Sequence, residues 1–244
     1  MAVYKSRLRS QSWAGETIGI IVLECYYPFL PGNVANASTY TFPVRYALAE
    51  GVTGEKLLYG STESLLEPFI AAAHKLEAEG VKAITGACGF MALFQKEIAA
   101  SVNIPVFVSS LLQVNFMHQI TNKRVGIICA DSTCLKPEHL AGTGVSTSVP
   151  LAITGMEGCE AFNQGIRANI GELDDEGIRT GIVSVAQDLV SQYPDVGSIL
   201  LECSDLPPYA HAVQEATGLP VFDFITMINH VHESLSRTRY TGVI

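Results

Sequence analysis

Two cysteines stand at matching places in what reads as one unit written twice. Val81 and Val196 each lie seven residues before a cysteine, Cys88 and Cys203. Pro105 and Pro220 each lie seventeen residues after it, and both sit in an (Ile/Leu)-Pro-Val-Phe tetrapeptide. Two copies on this scale mean duplicated βαβ units rather than a solenoid. In each copy a β-branched apolar run reads as a buried parallel strand, Thr17 to Leu23 in the first and Arg124 to Ala130 in the second. A helix-period segment follows: Leu66, Phe69, Ile70, Ala73 and Leu76 closed by Gly80, and Ile178, Ile182, Val185 and Leu189 closed by Pro194. The first of these helices has its cap at Ser61 or Thr62. Next come a strand running into the cysteine (Val81 to Thr85, Val196 to Leu201), a short helix, and a strand opening on the shared Pro-Val-Phe.

Strand–helix alternation predicts parallel sheets flanked by right-handed crossover helices. The fold class is therefore α/β, as two pseudo-symmetric lobes with a cleft between them. The expected first lobe is residues 1–117 with 224–244, and the second is 118–223. Ligands of such sheets lie at the carboxyl ends of the strands, which is where both cysteines fall.

With 48% apolar and 16% charged residues, the chain can bury a large core, and a charge of −9 disfavours nucleic acid and anionic membrane surfaces. No apolar run is long enough to span a bilayer. The first fifteen residues carry Lys5, Arg7 and Arg9 without a following apolar region, so they read as an N-terminal arm. Six cysteines at irregular spacing, none in a C-x-x-C pair, read as reduced thiols in a cytoplasmic protein. His211, His230 and His232 lack zinc-type partners, so neither metal nor cofactor is expected.

Two thiols facing one carbon could move a proton from one face of a stereocentre to the other. Cysteine titrates near enough to neutrality for modest tuning, and a following helix N-terminus would favour thiolate at Cys88 and Cys203. The expected function is a cofactor-independent racemase or epimerase acting α to a carboxylate, on an amino acid or related small acid. The alternatives are a decarboxylase or cis–trans isomerase of a small dicarboxylic acid, or a binding protein that keeps the cleft without the reaction. Expected substrate-binding residues are Gly89, Ser204, Ser132, Thr133, Asn36, Tyr40 and Ser109, by their places at strand ends and in the loop after the first strand. Asp205 is read as a helix cap, Glu202 as an unproven proton relay, Cys25 and Cys129 as packing.

At Ile84 to Gln95 (ITGACGFMALFQ) and Leu200 to Ala210 (LLECSDLPPYA) the chain resembles the aspartate/glutamate racemase superfamily, over nearly its whole length. The resemblance implies a two-lobed α/β enzyme using Cys88 and Cys203 as acid and base, assembled as a homodimer or higher oligomer. The chain departs from the amino-acid racemases at three places. Gly89-Phe90 replaces Asn-Thr after the first cysteine, Glu24-Cys25 replaces Asp-Ser after the first strand, and Ser204-Asp205 replaces Thr-His after the second cysteine. Those substitutions remove usual holders of an amino acid and argue against glutamate as substrate.

Overall fold

The computed structural model describes residue 3 and residues 13–60 and 64–242. Residues 1–2 and 4–12 of the N-terminal arm, with its Lys5, Arg7 and Arg9, and the helix cap expected at Ser61 or Thr62 lie outside the described residues. Two parallel four-stranded sheets carry the chain, in strand orders β2-β1-β3-β4 and β6-β5-β7-β8. The first sheet is built from β1 (Ile18–Glu24), β2 (Val44–Thr53), β3 (Ala83–Gly86) and β4 (Val106–Phe107). The second uses β5 (Arg124–Cys129), β6 (Leu151–Gly155), β7 (Val196–Leu201) and β8 (Val221–Phe222).

The repeat is visible in the register. Ile84 pairs with Val106, and Ile199 repeats this with Val221; in each case the isoleucine N–H donates to the carbonyl of the proline preceding that valine, Pro105 or Pro220, at 2.9 Å. The edge strands β2 and β6 were not legible in the sequence. β2 alternates between buried and open positions and carries Glu50, and Ile153 in β6 is 36% exposed, so neither forms the unbroken apolar run of a strand covered on both faces.

Helices cover the sheets as their apolar stripes require. In α1 (Gly54–Tyr59) Thr53 accepts the N-terminal N–H of Lys56, and α2 (Leu66–Ala78) buries Phe69, Ala72, Ala73 and Leu76 at helical spacing. Each large apolar side chain covered in this way contributes about 1.5–3 kcal/mol. Gly80, with φ of +89°, turns the chain out of α2 through the left-handed region. The remaining helices are α3 (Gln95–Ser101), α4 (Val114–Thr121), α5 (Pro137–Gly142), α6 (Glu160–Phe162), α7 (Asp175–Gln192), α8 (Ala210–Thr217) and α9 (Phe224–Leu235). α9 returns to the first sheet, where Phe224, Met227 and Ile228 pack with Ile18, Ile20 and Phe107.

One continuous apolar core crosses the boundary between the sheets, joining Ile84 and Phe90 to Ile128 and Leu201. Gly142 brings α5 so close to the other lobe that a Cβ there would lie 2.3 Å from the Ala92 carbonyl oxygen. Among the described residues no helix is long and apolar enough to cross a membrane.

Candidate active site

The central strands of both sheets end against one another, and a cavity of about 240 Å³ opens where they meet. Cys25 and Tyr27 follow β1, Cys88 follows β3, Ala130 follows β5, and Cys203 follows β7; all five line this cavity. This is the crevice beyond the carboxyl ends of strands where open α/β sheets leave room for a ligand. Ser204 ties the two lobes across it, its hydroxyl donating to the Ala87 carbonyl at 2.7 Å.

Local structure after each cysteine differs from the expected helix. Cys88 is followed by a 3-10 stretch, Gly89–Phe94, before α3 begins, and Cys203 by a turn and a second 3-10 stretch, Pro207–Tyr209, before α8. No regular helix N-terminus therefore points at either sulfur. The backbone N–H two residues onward, of Phe90 at Cys88 and of Asp205 at Cys203, works to lower each thiol's pKa. Burial is the larger influence and pushes both thiols well above the ordinary cysteine value. The carboxylates add to it, Glu202 foremost at Cys88 and Asp205 at Cys203.

Asp205 does not cap a helix. Its carboxylate lines the cavity and accepts from Asn33 Nδ2 at 2.6 Å, from the Tyr27 hydroxyl at 3.2 Å to each oxygen, and from Cys203 Sγ at 3.6 Å. Glu202 lies behind the wall, fully buried, with no hydrogen bond to either carboxyl oxygen among the described residues. Burial raises its pKa to about 8. Its carboxyl rests on the Cα of Gly89, where a Cβ would come within 2.0 Å of Oε1. Gly89 lines the cavity, and this approach is the reason that position carries no side chain.

On the opposite wall, Asn163–Arg167 extends α6 as a π-helical turn, which swings Arg167 into the cavity. Arg167 Nη2 donates to Asp131 Oδ2 at 2.9 Å and to the Tyr59 hydroxyl, and Nη1 donates to Asn163 Oδ1 at 2.9 Å. Tyr59 belongs to the first lobe and Arg167 to the second, so this cluster closes the cavity from both sides. Burial works to raise the pKa of Asp131, but hydrogen bonds from Thr133 and Tyr59, with the guanidinium, outweigh it and hold its carboxyl below the usual range. Among the described residues lining the cavity, Arg167 is the one permanent cation. Leu23, Leu58, Phe90, Phe162 and Ile166 supply apolar wall between the polar ends.

Of the residues proposed from sequence, Cys88, Cys203, Gly89 and Ser204 come together here, and the other five do not. Ser132 is held by Glu157 through both its N–H and its hydroxyl. Thr133 turns back onto Asp131 with its hydroxyl at 2.6 Å. Asn36 caps the turn Ala37–Thr39, and Tyr40 is buried with its hydroxyl on the Val34 carbonyl at 2.9 Å. Ser109 is fully buried, accepting the Leu111 N–H. Short polar side chains at strand ends satisfied local backbone instead of facing the cleft. Arg167, Tyr59 and the cavity role of Asp205 were missed. Tyr27 was findable, since it follows β1 just beyond Cys25; nothing in the sequence marks the π-turn that places Arg167.

The fold is that of the aspartate/glutamate racemase superfamily. Unliganded arylmalonate decarboxylase superposes with a TM-score of 0.56 at 16% identity, covering 89% of this chain and 91% of that one. An aspartate racemase homologue from Pyrococcus horikoshii superposes with a TM-score of 0.55 at 18% identity, covering 91% and 100%. No family model matches the chain. Its sequence relatives carry a different activity. A dimethylsulfoniopropionate lyase of Durusdinium sp. clade D is 34% identical over 220 residues, 86% of this chain and 71% of the relative. Dimethylsulfoniopropionate lyases 5 and 6 of Emiliania huxleyi are 30% and 32% identical, over 94% and 93% of this chain but 47% and 62% of their own lengths. These relatives overturn the racemase or epimerase expected from the paired thiols. They are lyases, the broader class to which the decarboxylase alternative belongs. The fold is shared by enzymes of several reactions and does not choose among them.

Proposed function

The chain belongs to the dimethylsulfoniopropionate lyase family, and we propose that it breaks the carbon–sulfur bond of dimethylsulfoniopropionate or a close analogue. The observation that carries this reading, beside the kinship itself, is a single cavity holding thiols, an arginine and a carboxylate, Asp205, that has no cationic partner among the described residues. Such a substrate is a zwitterion, with a carboxylate on one end and a dimethylsulfonium β to it. Arg167 suits the carboxylate: its fork is planar and permanently charged, and Asp131 and Tyr59 fix its direction.

The chemistry is a β-elimination. A thiolate removes a proton from the carbon next to the carboxylate, the electrons of that C–H bond form the new C=C bond, and the C–S bond electrons leave with sulfur. The products are acrylate, dimethyl sulfide and a protonated thiol, which returns its proton to solvent. Cys203 is the base in this scheme. Its thiol is held up by burial and next by Asp205, and a bound sulfonium would neutralise that carboxylate's field and favour the thiolate. Cys88 faces the same cavity and completes the pocket around the reacting carbons. A positive leaving group departs neutral, so no acid is needed to assist it.

Incubating the purified chain with dimethylsulfoniopropionate and measuring dimethyl sulfide in the headspace, with acrylate by chromatography, tests the reading. Equal release of both is expected. Their absence with dimethylsulfoniopropionate and with β-sulfonio analogues would overturn it.

A further inference from the structure

Asp205 presents an unusual combination: a carboxylate on a cavity wall whose described partners are all uncharged. Asn33 Nδ2, the Tyr27 hydroxyl and Cys203 Sγ converge on its two oxygens. An ionised carboxylate only accepts, and three donors aimed at it are the pattern that holds the ionised form in place. Asn33 is itself nine-tenths buried and is fixed by the Ala35 N–H on its Oδ1 at 2.8 Å, so the carboxylate's orientation is set by the fold. No Lys, Arg or His among the described residues pairs with it; the salt bridge of Arg167 is to Asp131. Burial pushes the Asp205 carboxyl up despite its three donors, as expected of a charge lacking a counterion.

We propose that Asp205, oriented by Asn33 and Tyr27, is an onium subsite that takes the cationic end of a β-onium carboxylate whose carboxyl group lies at Arg167. The proposal deepens the lyase reading and rests on it for the placement of the carboxyl group. A methylated onium has no N–H or O–H to donate, so hydrogen-bond acceptors alone would not select it. A fixed negative charge beside aromatic and apolar surface does, and Tyr27, Phe90 and Phe162 stand in the same cavity. Glu24 and Glu55 also line it, but both are exposed, and Glu24 accepts the Gly51 N–H at 2.6 Å. They add negative potential at the mouth, whereas Asp205 offers a desolvated charge at a fixed position, where the attraction is stronger.

Two acids of nearly identical shape test this on the full chain by titration calorimetry. One is 3-(trimethylammonio)propanoate, which carries the onium; the other is 4,4-dimethylpentanoate, which carries a neutral tert-butyl group in its place. The wild-type chain should bind the onium acid about tenfold or more tightly than its neutral twin, a ratio typical of one partly desolvated charge contact. Asp205→Asn should remove that preference through loss of onium affinity, leaving the neutral acid's affinity within about twofold of wild type on the same reasoning. Equal wild-type affinities, failure of both acids to bind, or a preference surviving in Asp205→Asn would each overturn the proposal. The comparison of two ligands on the unaltered chain decides the matter even where the variant misfolds. Dimethyl sulfide release is measured separately. Onium preference without release would sink the lyase reading alone, and release without preference would sink the subsite alone.

Discussion

Glu202→Gln should change how stability depends on pH, and the size of the change follows from where the carboxyl sits. It is fully buried, without a hydrogen-bond partner at either oxygen among the described residues, and its pKa is raised by burial from 4.5 to about 8. A carboxyl raised in the folded state binds its proton more tightly there than in the unfolded chain. Its contribution is fully present below the unfolded value and is lost as pH rises through the folded one. Each pH unit across that window removes about 1.4 kcal/mol, so between about pH 5 and pH 8 the wild type should lose about 4 kcal/mol through this group. That is a large share of the 5–15 kcal/mol typical of a folded domain, roughly speaking. Glutamine has nearly the same shape and fits against Gly89, but it cannot ionise. Its amide is as unpaired as the protonated carboxyl it replaces, so it adds an offset of at most about 1–3 kcal/mol, which does not vary with pH. Asp205 and Asp223 are also raised by burial and titrate in both proteins, so they cancel in the comparison. Urea unfolding of both chains in half-unit pH steps would give the two curves. The curves should approach as pH rises, cross where the wild type's loss exceeds that offset, and run parallel above about pH 8 with the variant the more stable. Parallel curves across the window would refute the argument, because Glu202 would then carry the same charge folded and unfolded.

The other predictions concern the cavity and the seam. Cys203→Ser should lower dimethyl sulfide release by about a thousandfold or more with the circular dichroism spectrum unchanged, because a serine hydroxyl is far too weakly acidic to replace a thiolate base. Cys88→Ser, altering the pocket rather than the base, should cost about 10- to 100-fold in the same assay on this scheme. Arg167→Gln should raise KM by about tenfold or more with a smaller change in kcat, since it removes a charged contact to the substrate carboxylate present before and during the reaction. Gly142→Ala places a methyl group 2.3 Å from a backbone oxygen of the other lobe, and separating the lobes to fit it should cost about 1–3 kcal/mol by urea unfolding.

The repeated spacing around Cys88 and Cys203 was enough to determine two parallel α/β lobes and to put both sulfurs at strand ends, because β-branched runs and helical stripes are local patterns whose periods fix their structure. It also singled out the pair of positions that meet in the cavity. It did not supply the edge strands β2 and β6, whose half-covered faces break the apolar run, nor the π-turn behind Arg167. Serines and asparagine near strand ends looked like substrate holders, yet Ser109, Ser132 and Asn36 spend their polar atoms on nearby groups. The character of the site was decided by tertiary contacts between segments far apart in the chain: Asn33 and Tyr27 upon Asp205, Tyr59 upon Arg167, Glu202 upon Gly89. Burial and charge at those meetings set the proton affinities. They depend on how completely two lobes exclude water, which no local run of residues encodes.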